Sequence, residues 1–104
     1  MTQFADGALG DLQKAMRDCD LAFRGEKKRL RDLSHRFWVA LEDLQLAIEG
    51  GDTRNMQEVF KAAYRQLGAP GDFGYGTPAG QALKKLYDAW GEWLKSLPAA
   101  AVAG

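Results

Sequence analysis

A chain of 104 residues has the length of one domain, because a single hydrophobic core divides only beyond about 250 residues, so a two-domain enzyme is excluded. Fourteen Lys and Arg balance fourteen Asp and Glu, which disfavours a protein held to nucleic acid or to an acidic membrane by bulk charge. With 46% apolar and 11% aromatic residues the chain carries enough to bury a core, so a single folded domain over residues 1–104 is expected.

The first segment is a stripe. Leu9, Leu12, Met16, Cys19, Phe23, Leu30, Leu33, Phe37 and Leu44 recur at steps of three and four, and Ala40 and Ala47 fill the same register. These are the a and d positions of a heptad, and Glu26 is the only polar residue on them. The phase runs through Gly25 without a slip, so the simplest reading is one continuous helix over about residues 8–49. Gly25 and Glu26 mark where it would otherwise bend or turn back, since a mid-helix glycine costs about 0.5–1 kcal/mol relative to alanine. Gly50 and Gly51 end the segment, and Asp52 or Thr53 provides an N-cap for a second helix over 53–67. On that helix Met56, Val59, Phe60, Ala63, Tyr64 and Leu67 share one side, opposite Gln57, Glu58, Lys61 and Arg65.

Residues 68–77 hold four glycines and a proline and read as a loop. Thr77 followed by Pro78 is an N-cap with proline at the first helical position, opening a third helix over 78–97. Its apolar side carries Leu83, Leu86, Tyr87, Trp90, Trp93, Leu94 and Leu97, and Pro98 discourages extension. Residues 1–6 and 98–104 are expected to fray. No alternating strand pattern of useful length occurs, so the class is all-α, a helical bundle. A 42-residue helix spans roughly 63 Å and the two shorter ones roughly 22 and 30 Å, so the short helices laid end to end just cover the long one. Two architectures follow: one long helix packed by two shorter helices, with coiled-coil character and bare stripe covered by a second copy, or a monomeric four-helix bundle broken near Gly25.

Residues for catalysis are sparse. One His and one Cys cannot supply a structural zinc set, and no HExxH or paired CxxC motif occurs, so neither metal nor cofactor is expected. Cys19 lies on the apolar stripe, where cysteine behaves as a small buried hydrophobe, and His35 takes an outward position. Asp18 with Asp20, and Glu42 with Asp43, are too close in sequence to share a helix side and read as solvated charges. The glycines of the loop lack the GK[ST] and preceding strand of a phosphate loop. The chain is therefore not expected to be an enzyme. One cysteine permits no internal disulfide, and the N-terminus lacks the basic start and apolar run of a signal peptide. No stretch approaches the roughly 18 apolar residues that span a bilayer, and a cytoplasmic protein without a membrane partner is expected.

Surface features carry what functional signal remains. On Phe37 to Ile48, the residues Phe37, Ala40, Leu41, Leu44, Ala47 and Ile48 fill one arc while Trp38, Val39 and Leu46 lie roughly opposite, so this helix needs two neighbours. Phe73 and Tyr75, two aromatics among glycines, either plug the end of the bundle or stand out as anchors. Trp38, Val39, Leu46, Phe73 and Tyr75 are the expected partner-binding residues. Charge is segregated along the chain, with a net of +4 over residues 24–36 and −4 over 37–60. Arg24, Lys28 and Arg31, spaced four and three, would face phosphates or an acidic surface together if helical.

These observations imply a non-enzymatic protein–protein interaction module, of adaptor, accessory or inhibitor type, such as a phage or mobile element could encode. It would bind or block a protein partner or pair with itself as a homodimer. The alternative is a nucleic-acid-associated helical protein using the basic run 24–36.

Overall fold

The computed structural model describes the backbone of residues 3–98 and the side chains of residues 7–98. Residues 1–2 and 99–104 lie outside it, and with them most of the expected fraying. The described residues form four α-helices and no strand: α1 (Gln3–Gly25), α2 (His35–Gly50), α3 (Thr53–Leu67) and α4 (Pro78–Ser96), with a single 3₁₀ turn at Pro70–Phe73. The fold is an all-α bundle, as the periodicity predicts. α1 begins at Gln3, ahead of the expected start at residue 8.

The long continuous helix does not form. α1 ends at Gly25 and residues 26–33 make a series of turns, in which the Leu30 N–H donates to the Glu26 carbonyl and the Leu33 N–H to that of Leu30. Ser34 then caps α2, its hydroxyl accepting from the Phe37 N–H. The molecule's longest extent is 44 Å, against roughly 63 Å for the unbroken helix. Phe23 and Phe37 show why folding back wins. In a straight helix their fourteen-residue separation is about 21 Å, yet their ring centroids lie 5.1 Å apart. Phe73 closes the cluster from the loop, 5.0 Å from Phe23 edge-on and 5.5 Å from Phe37. Three aromatics thereby leave water together at one end of the bundle.

The turn is held by Glu26. Its carboxylate accepts a 2.6 Å hydrogen bond from the Ala79 N–H at the start of α4 and a 2.8 Å ion pair from Arg29, whose guanidinium also reaches the Phe73 carbonyl at 3.4 Å. α4 thus has its first free donors satisfied: Pro78 has none, Ala79 donates to Glu26 and Gly80 donates to the Thr77 hydroxyl. The hydrogen bond from Arg29, reinforced by Ala79 and by the guanidinium charge, lowers the Glu26 pKa from its ordinary 4.5 despite opposition from partial burial.

α1 packs mainly on α4, and α2 on α3 through the tight Gly51–Asp52 link, where Gly51 adopts a left-handed conformation and donates to the Ala47 carbonyl. The core runs through Leu12, Met16, Cys19 and Phe23 of α1, Leu41, Leu44 and Ile48 of α2, Met56 and Leu67 of α3, and Leu83 and Leu86 of α4, all essentially without solvent contact. Gln13 ties the end of α2 to α1 by donating to the Ile48 carbonyl at 3.2 Å, beside an Arg17–Glu49 ion pair. α3 meets α4 through rings, with Phe60 stacked on Trp90 at 4.0 Å and 7° and Tyr64 5.4 Å from Tyr87.

Glu26→Ala is expected to destabilise the protein by about 1–2 kcal/mol at pH 7, the scale of a lost cap with a charge-assisted bond. Because the folded-state pKa is depressed, this stabilisation is present above the ordinary value of 4.5 and is lost as pH falls through the lowered one. Denaturant unfolding at pH 7 and pH 3 checks this: the gap between wild type and variant must narrow in acid. Two glycines of α4 give opposite expectations. A Cβ on Gly80 would overlap the Gly74 carbonyl oxygen and sit 3.1 Å from that of Pro70, whereas a Cβ on Gly91 meets nothing within 4 Å. Thermal unfolding should show Gly80→Ala destabilised by at least about 2 kcal/mol and Gly91→Ala stabilised by about 0.5–1 kcal/mol.

Candidate functional site: an apolar groove between α2 and α3

α2 has two apolar sides, and the bundle uses one. Phe37, Ala40, Leu41, Leu44, Ala47 and Ile48 are buried, whereas Val39 is 41% and Leu46 65% exposed. Because α3 returns alongside α2, the unused side becomes one wall of a groove of about 900 Å³. Val39, Ala40, Leu46 and Ala47 line it from α2, and Val59, Ala62 and Ala63 from α3. Four alanines keep its floor low, and the two large aliphatics rise from one wall. Its polar rim is uneven. His35 and Arg36 stand at the start of α2, near Gln66 at the end of α3, while Asp43 and Glu58 stand farther along.

The five residues expected to bind a partner do not act as one surface. Val39 and Leu46 line the groove. Trp38 is half-buried, edge-on to Phe37 at 5.5 Å, with the Lys27 ammonium 5.6 Å from its ring centroid, a cation–π contact that joins α2 to the preceding turn. Phe73 is a correction: it is 8% exposed and belongs to the aromatic cluster, because the 3₁₀ turn at Pro70–Phe73 points it into the core. It plugs the bundle, so no exposed aromatic is presented at this position. Tyr75, two residues on, is 74% exposed, with its ring so close over Gly71 that a Cβ there would lie 2.8 Å from it.

The basic set is also altered by the turn. α1 ends at Gly25, so Arg24, Lys28 and Arg31 do not share a continuous helix side, and the spacing that grouped them loses its meaning. Arg24 is engaged by Asp20 through both carboxylate oxygens, at 2.9 and 3.0 Å, and Lys28 and Arg31 are exposed on the turn. Arg29, which the spacing left aside, is a structural residue through Glu26.

Two titratable groups are held protonated at neutral pH. Burial, helped by the nearby Asp20, pushes the Cys19 thiol up to about 12. Burial raises the Tyr87 phenol too, followed by Tyr64, Cys19 and Asp72, and its hydroxyl donates to the Gly68 carbonyl at 2.6 Å. Both therefore serve the core. Among the described residues no group of three or more His, Cys, Asp or Glu is arranged to hold a metal ion, and no helix is long and apolar enough to cross a membrane.

The α3 side of the groove escaped sequence reasoning. Val59 and Ala63 share the amphipathic core side of α3, and Glu58 its polar side, so neither group signals a shared surface. The available hint was the pairing of small residues, Ala40 and Ala47 with Ala62 and Ala63, across a two-residue link. Phe73→Ala is expected to cost about 3–5 kcal/mol by leaving a cavity between Phe23 and Phe37, and Tyr75→Ala to change stability by less than about 0.5 kcal/mol; urea unfolding of the two variants measures the contrast.

The sequence matches no family model, and no curated protein or solved structure is significantly similar to it.

Proposed function

We propose that this chain is a non-enzymatic helical interaction module, of adaptor, accessory or inhibitor type, that binds or blocks a protein through the α2–α3 groove. The observation that carries the reading is the exposure of Val39 and Leu46 beside an alanine floor. Large apolar side chains gathered on one concave surface mark a docking site more often than a solvated one. A floor of alanines admits the close approach of a helix or of bulky side chains. The single buried Cys19 fits a reducing compartment such as the cytoplasm.

A photo-crosslinking amino acid placed at Leu46 in producing cells tests this, with the same group at Lys84 on α4 as control. Expected are discrete protein adducts from position 46 that disappear when Val39→Asp is added. The same adducts from both positions, or none, would overturn the reading.

A further inference from the structure

We infer that the α2–α3 groove takes a second copy of this chain, set antiparallel across a two-fold axis. This rests on the reading of the groove as a protein-docking surface and adds the identity of the occupant. Two features make the surface complementary to itself. The first is shape: Val39 stands 41% exposed on one wall, and its neighbours Ala40 and Ala62 leave room for a large side chain on the same surface. A two-fold axis sets a projecting residue of each copy against the low floor of the other, a closed isologous contact that leaves no free edge. The second is charge. α2 and α3 run in opposite directions, so Arg36, with His35, marks one end of the groove, while Asp43 and Glu58 lie toward the other. Reversing one copy brings the basic end of each against the acidic end of its mate, whereas a parallel arrangement places like charges together. The chain as a whole has no net charge, so no long-range repulsion opposes the encounter. A foreign helix with an apolar side also satisfies the groove's shape, but it has no built-in match to the charge polarity.

Sedimentation of the full chain from about 5 to about 500 µM reads self-association directly. The wild type is expected to be a reversible dimer. Val39→Ser should weaken it at least about ten-fold without altering the helical circular dichroism, because this side chain is exposed and lies outside the core. Charge reversal supplies a second, fold-independent signature. Arg36→Glu makes both ends of the groove acidic, and the pair Asp43→Lys with Glu58→Lys makes both ends basic. Each variant alone should self-associate less than the wild type, and an equimolar mixture should form heterodimers. A wild type that stays monomeric over this range, a dimer indifferent to Val39→Ser, or a mixture that fails to recover association would each overturn the inference. The crosslinking from position 46 separates the two levels. Adducts with a different protein from a chain that is monomeric in sedimentation defeat the second copy and leave the interaction module standing; no specific adducts and no dimer defeat both.

Discussion

One carboxylate joins the three parts of the chain that meet where it folds back. Glu26 lies immediately beyond the end of α1, yet its closest partner is the backbone of Ala79, fifty-three residues on. The helix N-terminus carries donors and a partial positive charge, so a carboxylate there satisfies both, and Arg29 holds it ionised. The same Arg29 reaches the Phe73 carbonyl, so the turn, the loop and α4 are joined through two side chains. If residues 24–34 extended as helix, Glu26 would leave the start of α4 and the Phe23, Phe37 and Phe73 rings would part.

The turn also determines which surfaces remain. By folding back at Gly25 the chain covers its heptad stripe internally: Leu12, Met16, Cys19 and Phe23 of α1 share one core with Phe37, Leu44 and Ile48 of α2. A long uncovered seam, which would have demanded a coiled-coil partner, does not arise. What is left over is the second apolar side of α2. α3 packs beside α2 but directs its own large aromatics, Phe60 and Tyr64, toward Tyr87 and Trp90 of α4. Opposite Val39 and Leu46 it presents Val59, Ala62 and Ala63 between the polar Asn55, Glu58 and Gln66, with no aromatic to fill the space, and a groove is the result.

Much of the fold is legible in the chain. The 53–67 helix, the Thr77–Pro78 start of α4 and the Gly51 cap follow from local chemistry and stand where that chemistry puts them. The break in the first segment does not follow. Its heptad phase survives the turn because the two helices on either side bury the same stripe in the same core, and periodicity reports which side is covered but not whether the axis is straight. The anomalies at Gly25 and Glu26 located the break without deciding it. The candidate site was half legible. Val39 and Leu46 stand out by angle on α2 alone, whereas Phe73 and Tyr75 have alike side chains and alike neighbours, and only the 3₁₀ turn sends one inward and the other into water.

The sequence by itself determined the all-α class, the boundaries of α3 and α4, and the two-sided character of α2. Each rests on interactions within a few residues, where spacing and capping chemistry suffice. Tertiary structure alone decided that α1 and α2 are separate helices, that Glu26 belongs to α4, that Phe73 is core, and that α2 and α3 enclose a groove. Those outcomes depend on contacts such as Glu26 with Ala79 and Phe23 with Phe73, in which the partners are fifty or more residues apart. Such pairs are chosen by the joint burial of the whole core, which no local spacing records.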